Sequence, residues 1–519
     1  MVMSKRNKQL SFSDHWLEGR IPEDDFHHQL RMWASNNLDE DDFKPLFSEY
    51  GRSSVPPIHT FLGMLVQLEN GLSDREFEME SEFNDRVKYA ILANRDFEGI
   101  DAVTLCDHRK RFFESDIGLK ILAKTIQSAK EEGLFSGESL NVIDSFMVWG
   151  AAAKQDTYTL IYQGIKMVLR FVKFYELKDE AKAVLKRKDY EKELTKPDIE
   201  WEKEKEKKKL LENLVKDALN LVEFIRDHYS EKSQLPEDLA SVCDLLEKVA
   251  TQDVNIDDDG NVEMMQGTAK DRIISVNDPE MRHGRKTTSQ KNDGYKAEII
   301  TGGINARIVT AIDVEPANTP DGKLLNKLLQ QSKENGHEID NLTGDNAYTD
   351  WEEIEEQQEE NNIDFCVKVK DAVNPHNEFT KDDFDIFPQK GIVICPKGEK
   401  EEFDEKKIEN REKTIVQFPR KVCNNCGLKE KCTSSNRGRS ISINAYEDMI
   451  QKQKEYQKTE EFKEEYSKRA HGERTISFLT NCGGRIGRYF GKAKNRWQLI
   501  MAAINNNIKG IMNYKAQPV

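Results

Sequence analysis

Long apolar runs are missing: no stretch approaches the ~20 consecutive apolar residues that cross a bilayer. The opening Met1-Val2-Met3-Ser4-Lys5-Arg6 leads into polar sequence instead of an apolar signal core. No membrane association is expected, and a cytoplasmic setting is. Cysteine is sparse, with eight in 519 residues, too few to staple a chain of this length, so a tight cysteine cluster points to metal or catalysis. Positive charge is short overall: 78 Lys and Arg stand against 94 Asp and Glu, a net of −16. That average alone argues against a phosphate-rich partner, since Lys and Arg carry phosphate binding. At ~150 residues per domain the length predicts about three domains and excludes a peptide hormone, a knottin or a lone small binding module.

What is present is organised. Pro56 and Pro57 open a segment with Ile58, Phe61, Leu62, Leu65 and Leu68 at helical spacing, and Gly71 closes it. Ser73-Asp74-Arg75-Glu76 is a capping box, and Thr104 to Asp107 offers a weaker helix start before the basic His108-Arg109-Lys110-Arg111. Residues 1–135 therefore read as an N-terminal helical DNA-binding domain, with plain core packing as the alternative. Leu140 to Ser145 reads as a short buried strand ending on Asp144. A charged helical hairpin follows over 151–264, its Trp201 to Lys209 centre being a solvated face backed by Leu211, Leu214, Ala218, Leu219 and Val222. Strands at 297–301 and 307–314, a helix at 322–335 and a strand approaching Asp345 predict an α/β sheet over 265–362, with 136–150 as its first strand. Residues 363–444 hold short strand-like pieces and cysteines. Ala445 to about Leu479 reads as one long helix and Arg496 to Met512 as another, within a C-terminal part spanning 445–519.

Cys395, Cys423, Cys426 and Cys432 form Cys-x27-Cys-x2-Cys-x5-Cys. Four thiolates complete a tetrahedral Zn²⁺ shell with no position open to substrate, so the metal would be structural; the alternative is four unrelated cysteines. Arg420, Lys421, Lys429, Lys431, Arg437 and Arg439 surround them. From Tyr466 to Val519, Lys468, Arg469, Arg474, Arg485, Arg488, Lys492, Lys494, Arg496, Lys509 and Lys515 face the single acid Glu473, a polyanion-binding surface inside an acidic protein. Tyr466, Arg469 and Glu473 stand at i, i+3 and i+7, on one face of a helix. Glu473 is then either paired with a neighbouring arginine or meets Asp144 and Asp345 to hold two Mg²⁺ ions for phosphodiester chemistry.

At these residues the sequence resembles the DDE transposases of bacterial insertion sequences that carry a Tyr-x2-Arg-x3-Glu-x6-Lys signature. Asn141 to Ser145, Leu342 to Tyr348, and Tyr466, Arg469 and Glu473 match its three catalytic motifs. Asp278 to Lys286, Asp293 to Lys296, Pro316 to Asp321 and Asn507-Ile508-Lys509 match further segments. The cysteine stretch resembles the zinc insert of one subgroup. Thr480 stands where the signature has lysine, with Lys492 and Lys494 nearby, and Gly472 stands where an apolar residue usually precedes the glutamate.

The resemblance implies an RNase H-like core with Asp144, Asp345 and Glu473 binding two Mg²⁺ or Mn²⁺ ions. Water then cleaves the element end, and the freed 3′-hydroxyl attacks target DNA. Tyr466 and Arg469 would contact phosphate near the cut; Arg282, Arg285, Lys286 and Lys296 would contact the DNA backbone, and Arg485, Arg488, Lys492 and Lys494 would extend that surface. Its partner is double-stranded DNA, both terminal inverted repeats and target, bound by a homodimer. A nuclease on the same fold that does not join strands, and a non-catalytic DNA-binding regulator, are the rival readings.

Overall fold

The computed structural model describes residues 1–6, 17, 19–137, 139–230, 234–267, 269–285 and 290–516. Helices α1 (Phe26–Asn37), α2 (Pro57–Glu69), α3 (Asp74–Phe83), α4 (Asp85–Ala90), α5 (Ala102–Phe113) and α6 (Ile117–Glu131) come first. Pro57 is the first residue of α2, Gly71 follows that helix at φ 66°, and Ser73 with Glu76 closes the expected capping box of α3. The next start differs from expectation. Asp101 caps α5 by accepting from the Val103 and Thr104 amides, so the helix begins at Ala102 and not beyond Thr104; a carboxylate outranks a threonine hydroxyl as a cap.

Strand β1 (Val142–Trp149) precedes the expected insertion, which is larger than a hairpin. It comprises α7 (Thr157–Val172), α8 (Lys178–Ala183), α9 (Glu204–Ser230), α10 (Glu237–Thr251) and the short pair β2 (Val254–Ile256) and β3 (Val262–Met264). Leu160, Ile165, Leu214, Leu221, Leu246 and Val249 give it a core of its own.

The chain then returns with β4 (Arg282–Arg285), β5 (Lys291–Gly302), β6 (Ile308–Pro316), α11 (Leu325–Glu334), β7 (Asn341–Gly344), α12 (Trp351–Asn361) and β8 (Asp364–Val367). β5 pairs antiparallel with β1, and along its other edge first with β4 and then with β6; β7 joins β1 in parallel and β8 joins β7 in parallel. Strand alternation gives the sheet two apolar faces. One carries Phe146, Ala297, Ile299 and Ile312 and packs on α6 and on α19 (Lys492–Lys515). The other carries Ile143, Ile300 and Ala311 and packs on α11 and α12. The mixed sheet is consistent with an RNase H-like core.

Two expected boundaries shift. The first helices are no separate unit, because Leu62, Leu65, Ile121 and Ile126 share one core with the strands and with Ile504 and Ile508 of α19. Residues 364–367 belong to the main sheet, so the cysteine-bearing stretch begins after Val367. It holds β9 (Asp385–Phe387), β10 (Ile392–Ile394), β11 (Lys400–Glu402), α13 (Lys406–Glu409), β12 (Thr414–Gln417), α14 (Arg420–Asn424), α15 (Lys429–Cys432) and β13 (Ser440–Ile443) around Ile386, Val393, Phe418 and Ile441. The long helix expected from Ala445 is three: α16 (Glu447–Tyr456), α17 (Glu460–Ser467) and α18 (Ala470–Leu479). Thr459 breaks the first junction by capping α17 through its hydroxyl, the local alternative to helix that threonine offers. No described helix is long and apolar enough to cross a membrane.

Side-chain amides close both sheet edges. On β6 the Val309 N–H donates to Asn507 Oδ1 (2.7 Å), and Asn507 Nδ2 donates to the Val309 carbonyl and to Thr125 Oγ1 of α6 (both 2.9 Å). Asn335 Nδ2 takes the Thr310 carbonyl and Gln331 Oε1 the Ile312 N–H. Beyond β7, Gln453 donates to the Val367 carbonyl and Gln457 accepts from the Val369 N–H. An uncovered edge would template pairing with other chains. Replacing Asn507 by Leu keeps its bulk but orphans buried groups at about 1–3 kcal/mol each. Urea unfolding should show a loss of about 3 kcal/mol on that scale; a loss below about 1 kcal/mol would mean the edge finds other partners.

Candidate active site

The parallel register pairs Val142 with Thr343 and Ile143 with Gly344. One step further brings Asp345 beside Asp144, so two carboxylates distant in sequence become neighbours at one end of the sheet. Asp144 Oδ1 accepts from the Ser145 amide (2.8 Å), and Asp345 Oδ1 accepts from the Ala347 amide (2.7 Å). Glu473 approaches from α18. The Arg469 guanidinium joins the sets, reaching Asp144 Oδ2 at 3.1 Å and Glu473 Oε1 at 2.5 Å. Burial pushes the Asp144 carboxyl up to about 6, with Asp345 and Glu473 adding to the rise and the Ser145 amide and Arg469 opposing it. Tyr466 stacks on Phe462 with centroids 5.2 Å apart, and the Arg469 guanidinium carbon lies 6.0 Å from the Tyr466 ring. The three signature residues therefore meet, although they sit on α17, its junction and α18 and not on one helix face.

Gly472 explains how α18 comes so near. A Cβ there would lie 2.6 Å from Val142 Cγ1 and 3.1 Å from Val142 Cβ. The absent side chain lets the helix bearing Glu473 press on the strand bearing Asp144. An apolar residue at this place would force the two apart.

Among the described residues no group of three or more His, Cys, Asp or Glu side chains is close enough to hold a metal ion. The donor chemistry still fits hard cations: Asp144 and Glu473 share one positive group, Arg469, and Asp345 adjoins them. The four sequence-predicted zinc cysteines lie around one cavity without three of them coming close enough to hold an ion. Cys395, Cys423, Cys426 and Cys432 line one small apolar cavity with Phe384 and Phe418. Cys426 Sγ accepts from the Leu428 amide (3.4 Å) and Cys423 Sγ from the Arg439 amide (3.5 Å). Burial pushes the Cys432 thiol up, and the other three cysteines contribute to the shift.

The expected DNA contacts divide. Arg485 and Lys494 are exposed, and Arg285 is exposed at the end of β4. Arg282 turns inward to the carbonyls of Pro279 and Met281. Lys296 is buried and paired with Asp321 at 2.8 Å, so it does not reach the surface. Arg488 donates to the Leu72 carbonyl and Lys492 pairs with Glu315. Lys286 lies outside the described residues. The basic segment is further neutralised by Arg496 on Asp313, Lys509 on Glu69 and Lys515 on Glu132. Sequence reasoning missed these partners because each lies on a remote segment.

Comparison with protein families then bears on the whole. A model described as transposase DDE domain matches residues 394–512, which include Glu473, Arg469 and the cysteines. A second, described as transposase domain (DUF772), matches residues 15–111, the first helices. Both matches support a DDE-type transposase of the insertion-sequence kind. It is a DNA transposase, an enzyme of the nuclease class whose substrate is DNA. No curated protein and no solved structure matches it.

Two outcomes check this geometry. Gly472→Ala in the transposase should lower end cleavage at least tenfold, and Val142→Ala in the same chain should recover most of it by making room for the new methyl. Failure of the double variant to recover would separate the close approach from activity. Replacing Arg485 and Lys494 with Ala should reduce the salt dependence of DNA binding by up to about 1.8 in log–log slope, about 0.9 per phosphate contact. The tied pair Arg488 and Lys492 should change thermal stability more than that slope, which parallel salt titrations would show.

Proposed function

We propose that Asp144, Asp345 and Glu473 are the carboxylates with which this transposase cleaves the ends of its element and joins the freed 3′-hydroxyl to target DNA. The observation that carries the reading is the shared Arg469: one guanidinium compensates carboxylates from a strand and a helix, the charge that a divalent cation would otherwise supply. Asp144, Asp345 and Glu473 would hold Mg²⁺ or Mn²⁺, two ions in this reading, which would supply activation of the attacking oxygen and charge stabilisation of the leaving oxygen.

The chain's own groups do the rest. Asp144 must be ionised, which its burial resists and its positive partner favours. Arg469, released from the carboxylates, swings to a phosphate beside the cut, and Tyr466 backs it. Arg285, Arg485 and Lys494 hold duplex DNA of the terminal repeats and target. Two ends have to be held for joining, which makes a homodimer on DNA the working assembly, acting in the bacterial cytoplasm on the nucleoid.

Asp144→Ala should abolish both cleavage and strand transfer with Mg²⁺ while binding of a labelled element end stays within about twofold, because the residue would hold metal and not phosphate. Retained cleavage removes Asp144 from the site. Wild-type nicking without joined product would favour the nuclease reading, and DNA binding without either reaction the regulator reading.

The four cysteines are proposed to hold one structural Zn²⁺. Support comes from their shared cavity and from the amides aimed at Cys423 and Cys426, as thiolate ligands require. Elemental analysis of protein purified without chelator should find about one zinc per chain. Cys426→Ser should lower that content and the stability of the insert, and a zinc-free wild type would end the proposal.

A further inference from the structure

Two of the candidate carboxylates have one oxygen held by the local backbone. Asp144 Oδ1 accepts from the Ser145 amide and Asp345 Oδ1 from the Ala347 amide, so the Oδ2 atoms are their remaining donors toward a cation. Arg469 takes that remaining oxygen of Asp144 at 3.1 Å and, with its other terminal nitrogen, Glu473 Oε1 at 2.5 Å. Among the described residues no other base pairs with either acid. The guanidinium thus stands between the two carboxylates. A Mg²⁺ ion demands oxygens at about 2.0–2.1 Å from one centre, and so roughly 3 Å from each other; no three donors among the described residues come that close. The pair is bridged by the chain's own cation in place of a metal.

The backbone around this bridge is pinned, so the part free to move is the arginine side chain. Gly472 lies against Val142, and Thr475 Oγ1 donates to the Ala306 carbonyl (2.9 Å), which fixes the turn of α18 that carries Glu473. Arg469 comes just before that turn, at the junction of α17 and α18. Its side chain is 22% exposed against 14% for Asp144, the more open member of the pair. A guanidinium fork binds a phosphate with the same two-pronged geometry as a carboxylate. A DNA phosphate can therefore replace Asp144 and Glu473 as its partner without leaving the arginine uncompensated.

We propose that Arg469 gates metal entry: without DNA it occupies the oxygens of Asp144 and Glu473 that an ion needs, and a phosphate of the bound element end draws it away and frees them. The proposal rests on the reading of Asp144, Asp345 and Glu473 as metal ligands. DNA and divalent cation are then coupled ligands, each raising the affinity of the other by one shared factor. Metal is loaded where an element end is already held.

The test counts bound Mn²⁺ by loss of the free-ion electron paramagnetic resonance signal, with ions held by the DNA alone subtracted. The DNA is an element-end duplex in which methylene replaces the bridging 3′ oxygen at the cut, so that nothing is cleaved. Wild-type affinity for Mn²⁺ should rise at least about tenfold when this duplex is bound, within the usual range of coupled sites. Arg469→Gln has no charge to place between the acids. Without DNA it should bind Mn²⁺ at least about tenfold more tightly than wild type does, and the duplex should add less than about threefold. A wild-type affinity that the duplex leaves unchanged overturns the proposal, as does a duplex effect of equal size in Arg469→Gln. If Arg469→Gln does not fold, the DNA is varied instead: making the phosphates beside the cut neutral as methylphosphonates should abolish the wild-type effect, and its persistence overturns the gate. Asp144→Ala separates the two readings. If it binds Mn²⁺ as wild type does in the duplex-bound state, the triad reading ends and the gate with it; if its binding is lost while wild type shows no coupling, the triad stands and the gate alone fails.

Discussion

Three successive asparagines on α19 tie the molecule together. Asn505 donates to the Leu65 carbonyl of α2, Asn506 to the Arg307 carbonyl just before β6, and Asn507 bonds both Val309 and Thr125 of α6. Successive residues of a helix point about 100° apart, so one turn reaches three neighbours. Asn507 meets partners with both ends of its amide and so ties its neighbours most firmly, whereas Asn505 Oδ1 has no partner. The face of the sheet behind Asp144, the first helices and the last helix are consequently one cooperative body, and the candidate site inherits its rigidity.

Local signals were legible in the sequence wherever a few adjacent residues decide the structure. The Ser73–Glu76 capping box, the proline start of α2, the strand carrying Asp144 and the strand approaching Asp345 are of this kind. Asn507 was visible only as part of a matching segment; its work on the β6 edge depends on a strand nearly 200 residues earlier. The single long helix expected around Glu473 failed because the pattern of apolar residues continues across Thr459, where a hydroxyl cap stops the backbone hydrogen bonds. Gly472 looked like a departure from a motif and is a clearance.

Charge was the least legible property. Ten positive residues in the last segment suggested an open basic surface, yet Arg469, Lys492, Arg496, Lys509 and Lys515 all bridge to acids. Counting along a chain cannot tell a cation facing solvent from one that has met a carboxylate contributed by a distant helix. Exposed and outside these pairs are Arg474, Arg485 and Lys494, fewer than the count suggested. Partly buried pairs also respond to salt less than exposed charges do.

The position of α19 in the core has a consequence for synthesis. This helix follows every element it packs against and covers the sheet face that also receives α6. Helices α2 and α6 precede it by several hundred residues, so their apolar surfaces wait through translation of the insertion, the strands and the cysteine-bearing stretch. Chains emerge at about 5–20 residues per second, which makes the wait on the order of 20 to 90 seconds. Until α19 arrives that face of the sheet has α6 as its cover but not the last helix. A chain stopped upstream of residue 492 leaves the part of that apolar face around Ile308, Val309 and Ile312 without the helix that packs on it.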